Sequence, residues 1–570
     1  MKKALMWIVG LGIWMFTSGC ACEPWEPEEL ETPAPGACED GASPPEEATL
    51  APGAQFAHCE SSGAACFPEF SRWMRVTDPD PVVSEGRWHD FPADLGLSPV
   101  PAGRAPVALL PRPGAGSPEV AFIDVSALTL DAIRARVSGL ATATAIAATA
   151  ADEDQLRELA PLGGRVTSLV VQLPLTEPAA LAPFTSLRAL SVRAGRPFDG
   201  GQALLGGLER LELEVPPGSH TVLTGALRDL GVSPAHLREL KIQGEIDREF
   251  LRFLRNYRQL ELLHLDWLVL TDPVELSPLS QLCRLRELQV QGGEGLFDAA
   301  WTLAAKLPRL RALSVRSLSW EPVDAARIPA GLTALRVEGR LSQADLEAIS
   351  RLGTLGALSL AGKGGAGGEP LDLEPLRRLR VSRLELTGEF HLLRPVASVK
   401  RLRWIAMPKT RAIDLSQWTD LTHLDLTLTN AWALKLPATR RLLDLRIQDV
   451  AETPAPLSAR DVAAALSDEA TGVALFTDGL DRLPPAWPAR LETLRLAAPR
   501  VDDGLWATLG ASLGLRRLFL ARAAVSRGAF DAFLKTAPTR LSVVQLHDTG
   551  IAPRRSLTFR GSPRSLPALQ

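Results

Sequence analysis

Asparagine is almost missing from this chain: Asn256 and Asn430 are the only two in 570 residues. Tyrosine occurs once, at Tyr257, and lysine nine times against 53 arginines. No ladder of asparagine side chains can therefore tie up its turns. The 62 basic and 66 acidic residues nearly cancel, so a nucleic-acid polyanion is not expected as partner. The eight histidines show no His-Glu-x-x-His or comparable ligand spacing, and no metal site is expected. No Walker motif, cofactor lysine or paired-carboxylate constellation is present, so no cofactor is expected either. What remains is ordinary globular usage, 46% apolar and 22% charged, over a length too great for one compact core.

The N-terminus carries an address. Lys2 and Lys3 precede an uncharged run from Ala4 to Phe16, and Thr17-Ser18-Gly19-Cys20 follows. A short positive segment, an apolar stretch and then small residues make the secretory signal pattern. The small residues ending in Gly19-Cys20 resemble the lipobox of bacterial lipoproteins, although Thr17 stands where that family usually has Leu. The resemblance implies that residues 1–19 are removed and that Cys20 becomes the lipidated first residue. Ala21, in place of the aspartate that retains such lipoproteins in the inner membrane, implies the outer membrane. A signal anchor is the rival, since positions 4–22 are uncharged and a span needs about 20 residues.

Residues 21–60 hold 10 acidic groups, seven prolines and no lysine or arginine. Such a segment cannot bury a core, so 20–60 is expected to be an extended tether. With Cys20 set aside, Cys22, Cys38, Cys59 and Cys66 cluster here. In an exported protein they read as two disulfides with three connectivities open, a zinc site being the rival. Cys283, far away and just before an expected strand, reads as a small buried residue.

From about residue 140 a hexad L-x-x-L-x-L organises the chain. It is seen in LRALSV from Leu187, LERLEL from Leu208, LRELKI from Leu237, LELLHL from Leu260 and LRELQV from Leu285. Further copies run through VKRLRW from Val399, LTHLDL from Leu421 and LLDLRI from Leu442 to LSVVQL from Leu541, fifteen in all. Most start-to-start spacings are 21–26 residues, with outliers of 29 and 18. The single gap of 49, between Leu442 and Leu491, should hide a degenerate copy near Val473. Val166 to Val171 is a fair upstream copy and Leu140 to Ile146 a weak one. Apolar positions 4 and 6 around polar position 5 are strand periodicity. Between hexads, Asp247–Tyr257, Phe297–Lys306 and Ser342–Leu352 read as helices, Ser342 with Asp345 as a capping box, and Asp502 as a cap for a helix through Leu509. Strand then helix every ~24 residues gives parallel strands with crossovers.

This pattern resembles the leucine-rich repeat family over residues 140–546. The expected fold class is therefore α/β: a leucine-rich repeat solenoid, a curved parallel sheet with helices or irregular segments on its convex side. The family usually places Asn or Cys three residues after the last leucine of the hexad. Here Gly195, Pro216, Glu245, Leu268 and Gly293 stand there, so the turns must satisfy their backbone by other means. Residues 61–139, with Trp73, Trp88 and Phe91, read as an N-terminal cap, and residues 547–570 as a short C-terminal cap or tail.

Two catalytic motifs match by string alone. Gly510-Ala511-Ser512-Leu513-Gly514 fits the hydrolase elbow, yet a helix precedes it and a strand follows, the reverse of the required order. Gly362, Gly364 and Gly367, with Glu385 downstream, fit a dinucleotide loop, but Pro370 and Pro375 interrupt the helix such a site needs. No enzyme is expected. The expected function is a lipid-anchored envelope protein whose solenoid binds another protein through its strand face. A structural or adhesive component without a dedicated ligand is the alternative, and chemistry in 61–139 a more remote one. The candidate binding residues are Lys241, His264, Arg336, Arg401, Arg403, His423, Asp425 and Arg446, all expected to point to solvent with alternating charge. The local pattern His-x-Asp occurs twice among these strands, as His264 with Asp266 and His423 with Asp425.

Overall fold

The computed structural model describes residues between 120 and 560, apart from 125–127, 140–144, 151, 195–204, 216–221, 269–275, 364–369, 392–395, 397, 407–411, 430–432, 450–453, 499, 510–511, 513, 537–540, 542, 548 and 550–555. The signal segment, the lipidation site Cys20, the tether cysteines Cys22, Cys38, Cys59 and Cys66, and most of the expected cap lie outside the described residues.

The hexads become strands of a 20-stranded sheet in which each strand pairs with the next one along the chain. Each hexad aligns its fourth residue with the fourth of the next. Leu190 pairs Leu211, Leu211 pairs Leu240, and Leu240 pairs Leu263. Leu313 pairs Leu335, Leu402 pairs Leu424, and Leu424 pairs Leu445. The degenerate copy is found where the spacing required it: Val473 in the strand Gly472–Phe476 sits between Leu445 and Leu494. Positions 4 and 6 point to one side and form one continuous core with the helices. Leu296, Phe297 and Trp301 of the helix Leu296–Ala304 belong to that core, which fixes the helical side of the sheet. Each leucine so buried contributes roughly 1.5–3 kcal/mol relative to exposure. The result is an α/β leucine-rich repeat solenoid.

Two boundaries differ from the sequence expectation. The sheet begins inside the expected cap, with the strand Val120–Asp124, where Val120-Ala121-Phe122-Ile123 starts a hexad-like run. The weak copy at 140–146 is displaced: the strand is Ala145–Ala150, and Ala148 takes the fourth position between Ile123 and Leu169. An alanine in a leucine slot hid the register. At the other end, Ser556–Arg560 pairs antiparallel with Val543–His547, so part of 547–570 closes the sheet edge.

The helices match their signals. Asp247 caps Arg248–Leu254, and Ser342 with Asp345 forms the capping box of Gln343–Ser350. Asp502 accepts from Gly504 N at 2.9 Å as the helix Gly504–Leu509 begins. Between residues 380 and 450 the described connections are not helical. Short parallel strands, Ala412–Asp414 with Ala433–Lys435, take the helices' place there.

The missing asparagines are replaced by two devices. Before each strand, the position-2 amide donates to the position-2 carbonyl of the preceding repeat, as from Arg238 to Glu209, Glu261 to Arg238 and Arg286 to Glu261. In the turns, carboxylates reach across to the amides of a neighbouring repeat. Glu153 accepts from Thr176 N and Glu177 N at 2.5 and 2.9 Å, Glu321 from Gly295 N and Phe297 N at 2.6 and 3.1 Å, and Asp345 from Ala325 N at 2.7 Å. Two amides on one carboxylate do the work of an amide side chain.

Cys283 departs from expectation. It is half-buried and disulfide-bonded.

Candidate functional site

Strand pairing places positions 3, 5 and 7 of the hexads on the face opposite the helices, about 4.8 Å apart between neighbours. All eight candidate residues lie on this face, in separate groups. Lys241 and His264 are register partners in adjacent strands. Arg336 is the register partner of Ser314 and Ser359 and approaches Glu338 at 3.9 Å. Arg401, Arg403, His423, Asp425 and Arg446 form the third group on three adjacent strands.

Solvent exposure is where the expectation fails. His264 is only 1% exposed, and Asp425 is buried as well. Neighbours about 4.8 Å away on both sides shield the flanks of a side chain, so polar alternation does not by itself mean exposure. The two His-x-Asp patterns also differ in register: His264 occupies position 5, whereas His423 occupies position 3. His264 Nε2 lies 3.0 Å from Glu287 Oε1. His423 Nδ1 lies 2.8 Å from Thr422 Oγ1.

In the third group the position-5 row is an unbroken chain of alternating charge. Arg403 bonds Glu385 Oε1 at 2.9 Å and approaches Asp425 at 3.8 Å, and Arg446 reaches the same Asp425 at 3.4 Å. The position-3 row beside it runs Arg383, Arg401, His423, Asp444. Arg383, 6% exposed, is lowered to about 10 by burial and by Arg401. Burial, and then Arg401, lowers His423 to about 3, so it is neutral at ordinary pH. Asp444 is raised to about 7 by burial, with Asp425 adding to the rise and Arg446 and Arg401 opposing it. The earlier group has a similar pair of rows. Arg210 lies 3.2 Å from Glu239, and Lys241 lies 2.7 Å from Glu212. Burial holds Glu239 above the usual carboxylate range, against the pull of Arg210.

Sequence reasoning did not single out Arg383, Glu239 and Glu287, although they share position 3 with the candidates Arg401 and His423. It also missed position 7. There, in the last repeats, Phe476, Ala497 and Ala521 join Ala474 and Phe519 of position 5 in an apolar cluster separate from the main core. Arg495 lies over the Phe519 ring at 5.9 Å. The string motifs gain nothing. Ser512 is fully buried, with the helix Gly504–Leu509 before it and the strand Arg517–Ala521 after it, the reverse of an elbow, and Gly364 and Gly367 lie outside the described residues. Among the described residues, no group of three or more His, Cys, Asp and Glu is placed to hold a metal ion. No described helix is long and apolar enough to cross a membrane.

No family model and no curated protein sequence matches the chain. Among solved structures it is similar to an internalin of Listeria monocytogenes, at 13% identity over 76% of this chain and 91% of that one, with a TM-score of 0.24. It is also similar to a leucine-rich repeat protein of Leptospira interrogans, at 13% identity over 68% and 97%, with a TM-score of 0.30. The fold class rests on this chain's own strand register.

Proposed function

We propose that this chain is a lipid-anchored outer-membrane protein whose solenoid serves as a non-catalytic protein-binding surface. One observation carries the binding part: an in-register strand face of mixed charge, running Glu385, Arg403, Asp425, Arg446 without a single-sign stretch. A polyanion would require unbroken positive charge, whereas a folded protein presents both signs. The anchor rests on the Gly19-Cys20 junction and the acidic tether behind it.

Charge reversal within the Glu385–Arg446 row would leave buried carboxylates facing new ones, so it tests stability before it tests binding. Position-7 arginines serve better. Arg193 and Arg316 have side chains 44% and 46% exposed; Arg193 pairs with the half-exposed Glu214, and Arg316 with the more buried Glu338 at 2.9 Å and with Gln291 at 3.4 Å. Replacing both with Glu should weaken saturable capture of an envelope protein at least tenfold while leaving the melting temperature nearly unchanged. Capture that survives this change removes the part of the strand face around Arg193 and Arg316 as the site. The anchor is tested separately. Cys20→Ala should move the protein to the soluble fraction, and N-terminal mass spectrometry of the parent should find a modified Cys20. An unmodified Cys20 in a membrane-bound parent overturns it.

A further inference from the structure

The position-5 row alternates in sign, but the position-3 row beside it does not. Arg383 and Arg401 are register partners in adjacent strands, so two arginines stand side by side about 4.8 Å apart. Like charges so placed repel and destabilise the pairing. Arg403, two residues along from Arg401, faces the same way and adds a third positive charge. The carboxylates beside them are engaged. Glu385 accepts from Arg403 at 2.9 Å and from Ser359 Oγ at 3.3 Å, while Asp425 is shared between Arg403 and Arg446. Across the strands Arg380–Gly388, Arg401–Ala406, His423–Leu428 and Asp444–Asp449, positions 3 and 5 carry Arg383, Arg401, Arg403 and Arg446 against Glu385, Asp425 and Asp444. His423 is neutral, and position 7 adds only Thr387, Ile405, Thr427 and Gln448. With Asp444 ionised, this stretch keeps one positive charge in excess.

We propose that Arg401 and Arg403 seat one carboxylate from an acidic side chain of a protein partner, and that a proton on Asp444 tightens the seat. This deepens the strand-face reading above and rests on it for the source of the carboxylate. A planar guanidinium fork matches a carboxylate with two parallel hydrogen bonds. The charge count selects the ligand: one carboxylate closes an excess of one, whereas a dianion overshoots it and meets Glu385 and Asp425. Asp444 sets that count. Its carboxyl lies over Gly472, and Arg446, Asp425 and Arg401 act on it through charge, none through a hydrogen bond. Its register partner His423 stays neutral, and Arg383, lowered to about 10, stays charged. Burial raises Asp444 to about 7, so below that pH it is uncharged and the excess becomes two. A carboxylate therefore binds more tightly as the pH falls through about 7, and its binding in turn favours the proton on Asp444. Two strand spacings, roughly 10 Å, separate Asp444 from Arg401, and one unit charge at that range changes affinity about threefold.

The test uses the full chain and a blocked glutamate, N-acetyl-glutamate α-amide, which carries one carboxylate. Its Kd is read from the dependence of melting temperature on its concentration, at matched ionic strength. It should bind saturably, the uncharged blocked glutamine should not, and sulfate should bind more weakly. Binding should be about threefold tighter at pH 6 than at pH 8, and Asp444→Asn should hold the tighter value at both. Arg401→Gln should weaken binding at least tenfold, and Arg401→Lys, which keeps the charge without the fork, at least threefold. Arg252→Gln, exposed on the helical side, should leave it unchanged. No saturable binding, or binding unchanged in both Arg401 variants, overturns the seat. Tighter binding of sulfate overturns the choice of a carboxylate. A pH ratio that persists in Asp444→Asn overturns the role of the proton. None of these readings needs a partner, so the seat can fail while capture through Arg193 and Arg316 stands.

Discussion

Replacing Asp444 with Asn isolates what a buried carboxylate contributes on the strand face. Its register partners are His423 on one side and Gly472 on the other. A Cβ at Gly472 would come within 3.1–3.2 Å of its carboxyl atoms, so the site is closely fitted to the group. Burial raises Asp444 from the usual 3.8 to about 7 in the folded chain. The folded state thus holds a proton that the unfolded chain releases above pH ~4. Raising the pH through that window removes stability, and above pH ~7 the full deficit is present. One pKa unit corresponds to about 1.4 kcal/mol, giving a ceiling of about 4 kcal/mol. Water penetration brings the expectation to about 2–4 kcal/mol. Asn keeps the shape and cannot ionise. Asp444→Asn should therefore lie within ~1 kcal/mol of the parent at pH 4.5 and exceed it by about 2–4 kcal/mol at pH 8.5, in denaturant melts run at matched ionic strength. His423, held neutral, does not titrate in this window. Two stability curves that stay parallel from pH 4.5 to 8.5 would refute the reasoning.

Leu313→Asp should cost well over ~3 kcal/mol, because it places an unpaired charge in the main core and removes leucine packing. Ser314→Asp should cost less but measurably, about 1–2 kcal/mol, since Ser314 is only 2% exposed; equal losses would show that the register is wrong. Asp345→Ala should cost about 2–4 kcal/mol in chemical melts, because one carboxylate serves Ala325 N, Ser342 N and Ser342 Oγ. Gly388→Ala should cost more than Gly353→Ala. Both have positive φ, but a Cβ at Gly388 would lie 2.1 Å from the Gly362 carbonyl oxygen whereas Gly353 faces open space, where the strain alone is about 1–2 kcal/mol. A smaller loss at Gly388 in thermal melts would contradict the close approach of those repeats.

The hexad period by itself determined the fold class and the register. Fourth-position leucines that must share one core can align in only one way, so even Val473 was placed by spacing before any contact was known. Capping residues likewise marked Gln343–Ser350 and Arg248–Leu254 from local chemistry alone. Where the core residue shrank, as at Ala148, the local signal vanished and only pairing with Leu169 located the strand. The state of the strand face was decided by tertiary structure. Alternation tells which residues share a face but not what lies beside them, and side chains stacked at strand spacing desolvate one another. That is why His264 and Asp425, polar by sequence, are buried. For the same reason Asp444 holds its proton to about pH 7, and carboxylates from neighbouring repeats could take over the turns that asparagine usually holds.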